Sequence, residues 1–149
     1  ELVKIFVYCL MPNHFHLLVR QNSQMPTSKL LLRVCTSYSK YFNKKYKRVG
    51  HLFQDQFKQV PVDDNLYLVW LSAYIHQNPK VAGIVNDPAG YVWSSYPDFL
   101  GLRDDKLCEK EIILSQFQNT REYQKFVDSS YEIIKEKSDL EKLLLDDDV

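Results

Sequence analysis

An α+β fold is predicted by three features of this 149-residue sequence. Apolar residues make up 45% of the chain and charged residues 26%, which is enough for a hydrophobic core and excludes disorder over most of the length. Short segments rich in β-branched and aromatic residues alternate with longer segments of helical periodicity. Their order is two strands, a helix, a third strand, a second helix and further helices. This order is typical of a sheet with helices packed on one face.

The first two strands are predicted to form a hairpin. Residues 3–10 are rich in β-branched and aromatic side chains, and residues 14–20 continue this pattern after the turn signal Met11-Pro12-Asn13. Residues 51–62 alternate between polar and apolar side chains, so a third strand is predicted there.

Two helices separate and follow these strands. The first is expected to begin with an N-cap at residues 27–28 and to run to about Tyr46, because apolar residues recur at steps of three and four. The second is expected to be capped at residues 63–64 and to stop at Asn78, because Pro79 follows.

Charge is distributed unevenly along the chain although the total is zero. Residues 1–60 carry a net charge of +8, residues 61–103 of −2 and residues 104–149 of −6. The basic front half indicates a surface that binds a polyanion, and the alternative is a solvated lysine-rich helix. From residue 109 onward two or three acidic helices are expected, ending in a frayed tail at residues 146–148.

Several classes of protein are excluded or disfavoured. No apolar run is long enough to span a membrane, and the first residues lack the pattern of a secretory signal. The sequence does not begin with Met, so we expect a fragment. The cysteines form no C-x-x-C pair, which favours a reduced, cytoplasmic protein with Cys9, Cys35 and Cys108 as small buried apolar residues.

The first candidate for chemistry is a His-x-His pair. Side chains alternate along a strand, so His14 and His16 are predicted to point to one face and Phe15 to the other. Two neutral imidazoles on one face can share a divalent metal ion. The pair alone is a weak signal, because such pairs are frequent by chance.

The second candidate is Tyr74 with Asn78. Residues four apart lie on one helical face, so the hydroxyl and the amide can approach one point. A tyrosine beside a phosphate is a candidate nucleophile, and an amide oxygen can complete a metal shell. The alternative is that Tyr74 belongs to an apolar stripe with Tyr67 and Leu71, and that Asn78 caps the helix. Spacing alone favours this alternative.

Four separated segments resemble one protein family. They are Leu10-Met-Pro-Asn-His-Phe-His-Leu-Leu-Val19, Gly50-His-Leu-Phe-Gln-Asp-Gln-Phe-Lys58, Tyr74-Ile-His-Gln-Asn-Pro-Lys-Val-Ala-Gly-Ile-Val85 and Tyr91-Val-Trp-Ser-Ser-Tyr96. In order and spacing they are similar to the HUH-type tyrosine transposases, which move single-stranded DNA. Within that group the similarity is to the REP-associated tyrosine transposases and their insertion-sequence relatives. The resemblance runs from residue 3 to about residue 101.

The resemblance implies a fold and a division of the chain. A catalytic domain with a ferredoxin-like antiparallel sheet is expected at residues 1–101, followed by an acidic helical extension at residues 102–149. The strand and helix with which the family usually begins are missing from this sequence.

The resemblance also implies roles for particular residues. His14 and His16 are expected to bind Mg²⁺ or Mn²⁺, with Asn78 as the third protein ligand and Gln77 as a substitute for it. Tyr74 is expected to attack a DNA phosphate and form a 5′-phosphotyrosine.

The implied function is a metal-dependent transposase that cleaves and rejoins single-stranded DNA at hairpin-bearing sites and acts as a homodimer. Contacts to DNA are expected from basic and amide side chains, namely Lys40, Lys44, Lys45, Lys47, Arg48, Gln54 and Lys58. The alternative function is a non-cleaving, domesticated module that binds hairpin DNA or RNA.

Three further residues are assigned structural roles. His51 and His76 are expected to be surface or structural residues. Trp93 is expected to anchor the core and not to stack on bases.

Overall fold

The computed structural model describes residues 2–146, with side chains up to residue 140. The strands are β1 (Val3–Leu10) and β2 (Phe15–Gln21), and a 3₁₀ turn lies at Pro88–Gly90. The helices are α1 (Thr27–Lys45), α2 (Asn65–Val81), α3 (Tyr96–Phe99), α4 (Glu111–Leu114), α5 (Thr120–Ser129) and α6 (Tyr131–Asp146). The predicted α+β class and the helical C-terminal region are confirmed. The predicted tail at residues 146–148 lies outside the described residues, apart from Asp146, which ends α6.

The chain forms two compact units. The packed unit comprises Ile5–Val19 and Val62–Val149, and the basic unit comprises Glu1–Lys4 and Arg20–Pro61. The division at residues 101 and 102 stays a prediction.

β1 and β2 form a two-stranded hairpin, as predicted. This hairpin is the one sheet that residues 2–146 form, and the third strand predicted at residues 51–62 is wrong, because residues 51–61 are irregular. Alternation stabilises a strand only where it buries one face and a neighbour completes the hydrogen bonds. Here three of the five apolar residues of the pattern, Phe53, Phe57 and Val60, are exposed.

Residues 93–95 lie along the other edge of β1. The Leu10 amide donates to the Trp93 carbonyl at 2.8 Å, and an isolated antiparallel bridge pairs Cys9 with Ser94. Because Ser94 is opposite the buried Cys9, alternation places Trp93 on the other face together with exposed Leu10. Trp93 is 60% exposed, so the prediction that it anchors the core is wrong.

Arg103 holds this segment against β1. Its guanidinium donates to the carbonyls of Val92 and Ser94, both at 2.8 Å, and to the Tyr8 hydroxyl at 2.9 Å. It also forms a salt bridge with buried Asp98. Burial raises the pKa of Asp98, but the bonds from Arg103 and the Asp105 amide, together with the positive charges of Arg103 and Lys110, bring the pKa below its usual value. One side chain therefore fixes residues 92–98 to the strand that precedes them by more than 80 positions.

The core of the packed unit surrounds α2. Buried side chains of β1, such as Val7, lie in one cluster with Ile75 of α2, Phe99 of α3 and Val127 of α5. The helices α4, α5 and α6 all contact α2. The acidic C-terminal region therefore contributes directly to the core that positions α2.

The ends of the two long helices differ in part from expectation. The α1 N-cap is Pro26, without a side-chain cap, whereas Asp64 caps α2 as predicted by accepting from the Tyr67 amide at 2.9 Å. The stop predicted at Asn78 is wrong, because α2 continues through Pro79 to Val81. The proline lies in the last turn, where carbonyls are still satisfied by amides that follow the helix.

Within the described residues no helix has the length and apolar character that crossing a membrane requires. All three cysteines are free, but only Cys9 is fully buried, while Cys35 and Cys108 are half-buried.

Candidate metal centre and nucleophile

The β-hairpin places the two histidines side by side. The Met11 amide donates to the His14 carbonyl at 2.8 Å, which closes the turn immediately before β2. The imidazole centroids of His14 and His16 are 4.9 Å apart, in an edge-to-face arrangement. The two rings therefore lie on the same side of the hairpin, as the alternation of side chains predicts.

Helix α2 brings Tyr74 to this pair. The rings of His16 and Tyr74 have centroids 5.9 Å apart and are nearly perpendicular. All three residues belong to the packed unit, in which α2 is held by buried neighbours such as Ala73 and Ile75. Residues separated by 58 positions in the sequence thus form one cluster.

Asn78 lies one helical turn after Tyr74 and is half-buried. Its side-chain amide nitrogen donates to the Tyr74 carbonyl at 3.1 Å. This bond uses the nitrogen and not the amide oxygen, which is the atom that a hard divalent cation requires.

Asn13 orients the first histidine. The distance from His14 Nδ1 to Asn13 Oδ1 is 2.7 Å. An amide oxygen only accepts, so Nδ1 carries the hydrogen and Nε2 keeps its lone pair. Histidine ligands in metal sites are commonly held this way by a bond to the second ring nitrogen. The sequence predicts Asn13 only as a turn residue, although its position next to a histidine is a signal for this role.

His16 has an unpaired nitrogen. Its Nε2 is buried and has no hydrogen-bond partner in the described part of the chain. Burial, and secondarily the neighbouring His14, lower the pKa of His16 to about 4. A neutral imidazole with a free buried nitrogen is the form that binds a metal ion. A buried polar atom without a hydrogen bond also costs free energy, so binding of a partner to this nitrogen would be favourable.

Two histidines do not by themselves fill the coordination shell of a divalent metal ion. No group of three His, Cys, Asp or Glu side chains that could hold a metal occurs among the described residues. A third protein ligand would therefore have to be of another type, and the Asn78 amide is of that type.

His76 has a structural role, as predicted. It is fully buried, and its two nitrogens lie 2.8 Å from the Tyr123 hydroxyl and 2.9 Å from Ser95 Oγ. Burial lowers its pKa to about 3, although the charge of Asp98 acts in the opposite direction. A neutral ring fits when Ser95 donates to Nε2 and Nδ1–H donates to Tyr123, which donates onward to Ser72 at 3.0 Å.

Gln77 also belongs to the core. It is fully buried, and its amide nitrogen donates to the Val127 carbonyl of α5 at 2.8 Å. This contact fixes the amide nitrogen of Gln77 between helices, and the idea that Gln77 substitutes for Asn78 as a ligand stays a prediction.

The residues expected to contact DNA all lie in the basic unit. Lys40, Lys44 and Lys45 belong to α1, and Lys47 and Arg48 follow its end. The remaining two, Gln54 and Lys58, lie in the irregular segment and not on a strand. All seven side chains are exposed. His51 is exposed as well, which agrees with a surface role.

The fold and this cluster define an α+β protein with a histidine pair beside a tyrosine carried by a helix. Residues 1–78 match the protein family described as "Transposase IS200 like". This protein therefore belongs to the IS200-like transposases, and the family implies that it binds DNA. The matched range contains His14, His16, Tyr74 and Asn78, whereas residues 91–96 lie beyond it. No curated protein and no solved structure matches the chain.

Proposed function

We propose that this protein is a metal-dependent transposase of the REP-associated tyrosine branch. It cleaves and rejoins single-stranded DNA at hairpin-bearing sites through a 5′-phosphotyrosine intermediate. The observation that carries the proposal is the cluster of His14, His16 and Tyr74, with ring centroids 4.9 and 5.9 Å apart.

The residues present fit a divalent metal ion. The buried Nε2 of His16 lacks a partner in the described part of the chain, and Asn13 leaves Nε2 of His14 available. With the amide oxygen of Asn78, these nitrogens would hold Mg²⁺ or Mn²⁺. Such an ion, when bound, polarises a phosphate oxygen and stabilises the charge that develops during displacement.

The tyrosine supplies the nucleophile. Its hydroxyl oxygen attacks the scissile phosphorus, so that a bond to Tyr74 forms as the bond to the 3′ oxygen breaks. The phenol loses its proton and the departing oxygen gains one, which leaves a 3′-hydroxyl. A 3′-hydroxyl attacking the phosphotyrosine reverses these bonds and rejoins DNA. Helix α2 is packed on several sides, which supports a fixed position for the attacking oxygen.

The basic unit supplies contacts to phosphates in this proposal. Exposed lysines and Arg48 around the C-terminal end of α1 neutralise phosphate charge and hold the DNA, with Gln54 and Lys58 as further contacts. Such contacts position DNA without reading its sequence. The active form in this proposal is a homodimer, which sedimentation equilibrium would measure.

Trapping of the covalent adduct tests the proposal. An oligonucleotide with a stem-loop and a single-stranded flank is incubated with Mg²⁺ or Mn²⁺ and resolved on a denaturing gel. The wild-type protein is expected to form a covalent adduct, and Tyr74→Phe to form none while it still binds DNA. Tyr67→Phe, two turns earlier on α2, is the matched control and should retain the adduct. DNA binding by the wild-type protein without any adduct would instead favour the non-cleaving module.

A further inference from the structure

Helix α1 carries two parallel rows of exposed side chains. Positions that differ by 3, 4, 7 or 11 share a helical face. One face carries the basic row, Lys29, Arg33, Lys40 and Lys44, and the adjacent face carries the aromatic row, Val34, Tyr38 and Tyr41. All of these side chains are exposed.

The aromatic row is open to solvent. From Thr27 to Lys45 no residue of α1 is buried, and Tyr38 and Tyr41 are 49% and 58% exposed. Their ring centroids are 6.4 Å apart with planes tilted by 36°, and Lys45 Nζ lies 5.7 Å from the Tyr41 centroid. Arg33 and Ser37 line an open depression together with this row. One open depression therefore combines apolar ring surfaces with the positive charge of Arg33.

The charge of α1 restricts what can cover this surface. The helix contains five basic residues and no acidic residue. A second copy of the same helix would bring like charges together, which is unfavourable. A duplex offers phosphates but keeps its bases stacked inside, whereas a single strand offers phosphates and exposed base faces together. The single strand is the occupant whose chemistry matches both rows.

We propose that α1 is a binding track for unpaired DNA, in which the basic row contacts phosphates and Tyr38 and Tyr41 stack on bases. This inference rests on the proposed function, which requires an unpaired strand, and it assigns where that strand binds. It adds stacking tyrosines and Arg33 to the lysine cluster at the end of the helix.

Fluorescence anisotropy with labelled oligothymidylate tests the two rows separately. The proteins carry Tyr74→Phe, so that no covalent chemistry contributes to binding. The change Tyr38→Leu with Tyr41→Leu is expected to weaken binding by about 5- to 150-fold for each stacked base, with an unchanged dependence on salt. Tyr38→Phe with Tyr41→Phe keeps both rings and should bind like the parent protein. Arg33→Gln with Lys40→Gln should instead reduce the log–log salt slope by about 0.7 for each lost phosphate contact.

Equal affinity of the leucine and parent proteins would overturn the proposal. A weaker affinity accompanied by a change of mass in sedimentation velocity would also overturn it, because the row would then be a protein interface. Circular dichroism confirms that the exposed substitutions leave the fold intact. The adduct assay tests the proposed function separately from the anisotropy measurements, which test the role of the two tyrosines. A wild-type protein without adduct contradicts the proposed function, while the ratio between the leucine and phenylalanine proteins still decides the role of the tyrosines.

Discussion

The helices α1 and α2 have similar lengths, 19 and 17 residues, but opposite environments. None of the α1 residues is buried, whereas α2 buries seven. The seven are Val69, Ser72, Ala73, Ile75, His76, Gln77 and Pro79. Burial of polar His76 and Gln77 shows that α2 is covered on more than its apolar side.

This difference matches what each helix is proposed to do. A nucleophile must be held within a fraction of an ångström of its reacting geometry, which a helix packed on several sides provides. Phosphate contacts act through charge and need accessible side chains more than exact placement. The proposed nucleophile, Tyr74, lies on the buried helix, and three of the proposed DNA contacts, Lys40, Lys44 and Lys45, lie on the exposed one.

The largest effect is expected at the histidine pair. The change His14→Ala with His16→Ala should abolish Mn²⁺ binding and adduct formation, because it removes both imidazole ligands. Asn78→Ala should weaken Mn²⁺ binding less, because water can replace one neutral ligand. Isothermal titration with Mn²⁺ measures both effects, with His51→Ala as the exposed control. An unchanged Mn²⁺ affinity in the double variant would remove the pair from the metal site.

Paired truncations in the two helices give the next largest effect. Ile75 is 5% exposed on α2 and Leu32 is 68% exposed on α1. Ile75→Ala should lower the free energy of unfolding by about 2–5 kcal/mol through loss of packing. Leu32→Ala should change it by no more than about 0.5 kcal/mol. Urea unfolding monitored by circular dichroism measures both, and equal losses would contradict the contrast between the helices.

Acid should destabilise the packed unit through His76. Its pKa is about 3 when folded and about 6.5 when unfolded, so between these values the unfolded chain binds more protons. The free energy of unfolding should therefore decrease as pH falls from about 6.5 towards 3, by up to about 1.4 kcal/mol per pH unit from this group. Unfolding in urea at several pH values should show a shallower dependence for His76→Gln than for His51→Gln. If the free energy of unfolding depends on pH equally in both variants, His76 is not the cause of the acid destabilisation.

The smallest effect is expected at the end of α1. Replacing Lys44, Lys45 and Lys47 by Gln should reduce the log–log salt slope for a stem-loop oligonucleotide by about 2, at about 0.7 for each contact. Stability should change by no more than about 0.5 kcal/mol, because these side chains are exposed. The same replacement at exposed Lys125, Lys135 and Lys137 of the packed unit is the matched control. A slope unmoved by the first triple change would identify the cluster as a solvated helix end.

Much of the candidate site follows from local sequence periodicity. The alternation of a strand predicts that His14 and His16 share a face, and their ring contact agrees. The helical repeat places Asn78 one turn after Tyr74, and the hydrogen bond between them agrees. These relations involve neighbours within four positions, so backbone geometry alone determines them.

Local periodicity fails where a partner far along the chain decides the outcome. The alternating residues 51–61 find no strand to pair with and stay irregular. Trp93 is exposed because its neighbour Ser94 pairs with Cys9, a contact that no local pattern contains. Gln77 contacts α5, which begins more than 40 residues later, and no local pattern contains this contact.

The sequence by itself determined the hairpin, the two long helices, the positive charge of α1 and the spacing of the histidines and of Tyr74 with Asn78. Only the tertiary structure decided that Tyr74 faces His16 while His76 of the same helix faces Tyr123 and Ser95. The repeat of a helix fixes the angle between its side chains but not the rotation of the helix about its axis. That rotation is set by packing against β1, α4, α5 and α6. The apolar side chains of α2 must all be buried against these elements simultaneously, and only one rotation of the helix allows this.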